Sequence, residues 1–191
     1  MKYFILIIGL ALAMPAVAQT RNPTWKDDVR GWFIGVDRSA NDSCYMHLDY
    51  EEGGIMRVGF NIDKREIMVV LGKDSWTSLE NGKLYPIAVQ FGSRSPWTVE
   101  ASVWEWDEGD KSLDFYLSAD GNDARTFLNE LQQMPNVVVR YEGKQILNLS
   151  LKGSFAAMEE VINCQINMSQ NTSSNSDPFS SSSETGSDPF R

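Results

Sequence analysis

Apolar and polar residues alternate along most of this chain with the period of two that marks a half-buried strand. Trp32, Ile34 and Val36 open the series, and Met46, Leu48 and Tyr50 continue it. After a Gly53-Gly54 turn, Met56, Val58, Phe60 and Ile62 alternate with Arg57, Gly59, Asn61 and Asp63, which predicts a hairpin. Further strands are predicted over 65–71, over 85–91 after an Asn81-Gly82 turn, over 97–106, and through Leu113, Phe115 and Leu117. The period then changes. Ala124, Phe127, Leu128, Leu131 and Met134 form a helical stripe, with Asp120, Asn122 and Asp123 as cap and first-turn acid and Pro135 as the stop. Val137, Val139 and Tyr141 return to a strand, Glu142-Gly143-Lys144 turns, and Leu147, Leu149 and Leu151 alternate with Asn148, Ser150 and Lys152. Gly153 breaks the run. Ser154 is expected to cap a second helix, its hydroxyl accepting from a first-turn amide. Phe155, Met158 and Ile162, widened by Ala157, Val161 and Cys164, are expected to form the buried face of that helix.

The pattern gives roughly eight or nine strands and two helices, enough for one good core. The expected class is mainly β with α+β character: an antiparallel curved sheet or β-sandwich with two packed helices. The globular domain is expected over 31–165, preceded by a polar leader over 19–30. Residues 1–18 read as a secretory signal, with Lys2 as the positive end, Tyr3 to Met14 as the apolar run and Ala16-Val17-Ala18 as the cleavage site. The run is shorter than the roughly 20 residues a spanning helix needs. No cysteine lies near the cleavage site to carry a lipid anchor. A periplasmic or secreted chain without a transmembrane segment follows. Residues 166–191 are rich in Ser, Asn and Thr and are expected to be a disordered tail.

The whole chain carries 17 Lys and Arg against 26 Asp and Glu; losing Lys2 with the signal takes its formal net charge from −9 to −10. That balance repels nucleic acid and anionic membrane surfaces and suits a basic protein partner. Two cysteines in an exported chain are most simply one disulfide, Cys44 to Cys164. Their spacing excludes a Cys-x-x-Cys motif, and a clip across so long a loop contributes about 4–5 kcal/mol in the chain-entropy model.

Catalytic chemistry has little to stand on. His47, the single histidine, shares a strand face with Tyr45 and Asp49, but no Gly-x-Ser-x-Gly elbow accompanies it. Too few His and Cys remain for a zinc or copper site, and the acidic stretches Asp107, Glu108, Asp110 and Asp120, Asn122, Asp123 lack the spacing of a calcium loop. No phosphate-binding glycine loop is present, and no cofactor is expected. Glu100, Trp104 and Trp106 fall on one face of the 97–106 strand, with Trp97 nearby, and form the candidate recognition surface. Rings beside a carboxylate suit a glycan, while burial on both sheet faces would make the same rings core. In the tail, Ser-Asp-Pro-Phe occurs twice, and Asp177, Pro178, Phe179 and Asp188, Pro189, Phe190 are candidate docking motifs, set against chance repetition in a Ser-rich segment.

The order of features resembles the invasion-associated locus B family of exported alphaproteobacterial proteins. The matching pieces are the Gly31-Trp32 strand, Cys44 with the alternation after it, a Val-rich strand, the Glu142-Gly143-Lys144 turn, and Ser150-Leu151-Lys152-Gly153-Ser154-Phe155-Ala156-Ala157, within 30–165. The resemblance implies a periplasmic β-rich protein linked to envelope function or host contact, without known catalytic residues. The expected function is a non-catalytic envelope or interaction protein with a protein partner. The alternatives are an acidic inhibitor of a basic cell-wall hydrolase such as lysozyme, and a glycan-binding protein or glycan-acting enzyme.

Overall fold

The structure, a computed structural model, describes residues 23–105 and 110–174. The signal segment, Trp106 and both Asp-Pro-Phe motifs lie outside the described residues. In chain order the elements are β1 (Thr24–Val29), β2 (Trp32–Asp37), β3 (Ser43–Asp49), β4 (Gly54–Asn61), β5 (Glu66–Lys73), β6 (Tyr85–Phe91), β7 (Trp97–Glu105), β8 (Lys111–Ser118), α1 (Asn122–Gln133), β9 (Asn136–Tyr141), β10 (Lys144–Ser150) and α2 (Ser154–Ser174). The strands form one open antiparallel sheet in the order β1-β2-β3-β4-β5-β8-β7-β6-β9-β10. A mainly β fold with two helices is what the alternation predicts.

The sheet curls because β7 serves two neighbours. Its first half, Trp97 to Ala101, pairs with β6, and its second half, Ser102 to Glu105, pairs with β8. The curl brings β3 to β10, although they are far apart in the strand order. The Tyr50 hydroxyl donates to the Ser150 carbonyl at 2.7 Å, and the Trp32 indole donates to the Lys152 carbonyl at 3.0 Å. Between the two arms lies one apolar core. Phe127 of α1 sits edge-on to Phe91 of β6 and to Phe115 of β8, with ring centroids 4.9 and 6.0 Å away. Cys44 of β3 is bonded to Cys164 of α2, both fully buried, closing a separation of 120 residues. Among the described residues no helix is long and apolar enough to cross a membrane.

Five local expectations change. A strand, β1, occupies half of the stretch read as a leader. Its charged Lys26, Asp27 and Asp28 hide it from a hydrophobic pattern, and its turn uses Arg30 and Gly31, at φ 54° and 97°, where Asn-Gly would have been the signal. Helix α2 runs past Gln165 to Ser174, because Met168 still packs on the core one turn beyond Cys164. Ser154 is no cap: its hydroxyl donates to the Leu131 carbonyl at 2.7 Å, pinning the start of α2 to the end of α1. The buried stripe of α2 is Ser154, Ala157, Met158, Val161 and Cys164, which leaves Phe155 and Ile162 exposed. Likewise α1 starts after Gly121 with no side-chain cap, and Asp120 pairs with Arg65 instead.

Candidate recognition surface on the outer sheet face

Both helices pack on the inner face of the first arm, α2 through Cys164 onto Cys44 and α1 through Phe127 onto Phe115. Strand alternation therefore sends the neighbours of those residues outward. Register stacks them into rows that cross the sheet. One row runs Phe33, His47, Arg57, Val70, Asp114, Ser102, and the next runs Gly35, Tyr45, Gly59, Met68, Tyr116.

Several of these outward residues are buried by their own row-mates. The tip of the Tyr45 ring lies over Gly35, where a Cβ would sit 2.6 Å from its Cζ and Oη. At Gly59 a Cβ would sit 2.6 Å from Tyr45 Cβ and 2.9 Å from the Cys44 carbonyl oxygen, so glycine alone fits beside Tyr45 on both strands. The Arg57 guanidinium then stacks 3.7 Å above the Tyr45 ring and donates to Asp37. The two charged side chains are only 7% and 14% exposed. Burial alone would raise the Asp37 carboxyl, but hydrogen bonds from Ser39 and Arg57 and the Arg57 charge outweigh it and hold the group below the ordinary value of 3.8. Farther along the row, Asp114 is 4% exposed and accepts from the Ser102 hydroxyl at 2.9 Å. Partial burial, and after it the Asp114 carboxylate, push the Tyr116 phenol up to about 12. His47 Nε2 lies 3.0 Å from Asp49 Oδ1 on the same face.

On this face Trp104 and Tyr116 are 51% and 38% exposed. Trp104 lies opposite Ser112, and Tyr116 is four residues farther along β8. Met68 is half-buried opposite Tyr116, Ile55 half-buried in the Trp104 row, and Phe33 half-buried at the distant β2 end. The arrangement offers flat aromatic and apolar area with a few fixed polar groups, the composition of a contact surface. Among the described residues no three His, Cys, Asp or Glu side chains converge as metal ligands.

The residues singled out in the sequence are only partly brought together. Trp104 belongs to the outer face. Glu100 is exposed and points the same way along β7, but it lies over β6, opposite Pro86, beyond the bend. Trp97 is on the other side of the strand. It packs edge-on to Phe127 at 5.7 Å and donates to Glu130 Oε2 at 2.8 Å, which makes it a half-buried wall of the core. Sequence reasoning did not find Arg57, Asp37, Tyr45, Asp114 or Tyr116. The available signal was the pair of glycines on the polar face of β2 and β4, flanking Tyr45.

No protein-family model and no curated protein matches the chain. Among solved structures, the chain is similar to the crystal structure of invasion associated protein B from Bartonella henselae. The sequence identity is 13% and the TM-score 0.53, over 75% of this chain and 99% of that one. A match at that identity shows a shared fold.

Proposed function

We propose that this chain is an exported, non-catalytic interaction protein of the cell envelope or cell surface, which contacts a protein partner through the outer face of its first arm. The observation that carries the reading is a sheet face with exposed Trp104 and Tyr116 on neighbouring strands, beside Arg57, Asp114 and Ser112, which are buried although they point away from the core. The fold shared with invasion associated protein B supports an envelope or host-contact setting for that surface. The signal-like first 18 residues support export, and the disulfide supports an oxidising compartment.

The test is capture from an envelope extract by the immobilised protein, wild type against Trp104→Ala/Tyr116→Ala. Both side chains are exposed, so the variant should keep its melting temperature. A protein retained by the wild type and lost by the variant supports the reading. Identical captured sets from two equally folded proteins would refute it. A parallel titration against a basic lysozyme at low and high salt examines the inhibitor reading, which requires inhibition that weakens as salt rises.

A further inference from the structure

The two edges of the open sheet are treated differently. At one end, β1 is blunted as edge strands usually are: it carries Lys26, Asp27 and Asp28, its pairing shifts register twice, and Lys26 is tied to Glu160 of α2 at 2.8 Å. At the other end, β10 has one irregularity, between Gln145 and Leu147, and then keeps an unbroken register with β9 to Ser150. Leu147 to Ser150 contains no charge and no proline.

The direction of the β10 backbone follows from two bonds. Leu151 N–H donates to the Pro135 carbonyl on the β9 side, whereas the Ser150 carbonyl accepts from Tyr50 on the other. N–H and C=O of one residue point to the same side of a strand, and the next residue's point to the opposite side. Asn148 therefore turns both its N–H and its C=O away from β9, and Ser150 turns its N–H the same way. Beside them lies a groove of about 350 Å³, walled by Leu147 and Leu149 on one side and by Tyr50, Gly54 and Lys73 on the other, with Glu51 and Glu52 at its rim.

We propose that this groove binds an extended segment of a partner polypeptide, which adds a strand to β10. The segment runs along the outward Asn148 and Ser150 backbone, over the edge of the Leu147, Leu149 and Tyr50 wall, and places a Lys or Arg against Glu51 and Glu52. A row of outward amides and carbonyls is matched only by another extended backbone. Both glutamates are exposed and face one half-buried Lys73, so the rim favours a basic sequence. Like charge disfavours two other occupants. A second copy pairing edge to edge would bring two Glu51-Glu52 pairs together. The chain's own tail carries Asp177, Glu184 and Asp188 against Arg191, and it leaves from the far end of a 21-residue helix that begins beside β10. The groove is separate from the Trp104 and Tyr116 face, and the proposal stands or falls without it.

The probe is a fluorescent peptide, Thr-Val-Lys-Val-Thr-Val-Lys, titrated by anisotropy onto the full chain. Saturable binding is expected, weakened about ten-fold or more by Asn148→Pro and by Glu51→Lys/Glu52→Lys, and unchanged by Trp104→Ala/Tyr116→Ala. Asn148→Pro removes an outward N–H and, besides it, the bond that Asn136 Nδ2 of β9 donates to Asn148 Oδ1 at 2.8 Å, whereas the charge reversal lies in an exposed turn, so one serves if the other fails to fold. Of two N-methylated probes blocked on alternate amides, one should bind and the other should not. Equal affinity in folded variants, equal binding of both methylated probes, or no wild-type binding at about 1 mM peptide would overturn the proposal.

Discussion

Replacing both Cys44 and Cys164 by Ala removes the one covalent link between the start of the sheet and the last helix. The link closes a separation of 120 residues, so the unfolded chain regains conformational freedom equivalent to about 4–5 kcal/mol. Both side chains are fully buried, and truncating each to Ala takes roughly a further 1 kcal/mol per site. What remains keeps α2 docked: Ala157, Met158 and Val161 stay in the core, and Cys44's backbone N–H still donates to Gln165 Oε1 at 2.8 Å. The variant should therefore fold to the same structure but lose about 6–7 kcal/mol, a large part of the 5–15 kcal/mol typical of a domain. Urea unfolding followed by tryptophan fluorescence reads this directly. Reduced wild-type protein should show the entropic part alone. In both cases the denaturant slope should rise, because a chain without the link exposes more surface when it unfolds. A difference below about 1 kcal/mol, with an unchanged slope, would refute the account and place the stability of α2 in its packing.

Three further outcomes follow from single contacts. Gly59→Ala puts a Cβ 2.6 Å from Tyr45 Cβ and 2.9 Å from the Cys44 carbonyl oxygen, forces β3 and β4 apart at that pair, and should lower stability by about 1–3 kcal/mol in thermal melts. Ser154→Ala leaves the buried Leu131 carbonyl without its donor and should lose about 1–3 kcal/mol by urea unfolding; a loss of only a few tenths would show that the bond is replaceable. Asp37 has a folded value below its ordinary 3.8, so the stability it contributes is complete above about pH 4 and is lost as pH falls through the lowered value. Arg57→Met should remove much of that acid dependence, and at neutral pH it should destabilise by up to about 3–5 kcal/mol, since Asp37 is left charged and only 14% exposed. Melting temperatures of both proteins between pH 3 and 7 check the pair.

The sheet was legible in the sequence because one face of each central strand is buried, and burial of one face writes itself as alternation. The same logic explains what was not legible. Strand β1 buries little and is held by register to β2 and by Lys26 with Glu160, interactions that leave no periodic trace. Ser154 is of the residue type that caps helices, and its partner, Leu131, is 23 positions earlier, a contact only the fold reveals. Phe155 and Ile162 fit a helical stripe with Met158, but the disulfide at Cys164 fixes the rotation of α2 and turns them outward. At the outer face, Trp104 stood out by residue type alone, whereas Arg57, Asp114 and Tyr116 read as ordinary polar-face residues. Their importance comes from register across separate strands, which a single chain pattern does not contain.

The outer face also asks why ionic groups are buried there at all. Burying Arg57 and Asp37 carries a desolvation cost, which at Asp37 the Ser39 and Arg57 interactions outweigh, yet apolar residues of similar size commonly stabilise a sheet as well or better. Stability alone therefore gives no reason for the arrangement, because the core and the disulfide lie on the opposite side of β3, behind Tyr45. What the ionic row does accomplish is order. Arg57 covers the Tyr45 ring, whose tip lies over Gly35, and Asp114 interacts with the Tyr116 hydroxyl. Rings fixed in advance lose less freedom when a partner covers them, so stability given up on this face can return as affinity. That trade is the physical argument for reading the face as a contact surface. Full partner binding by a folded Arg57→Met protein would show that the order serves the fold alone.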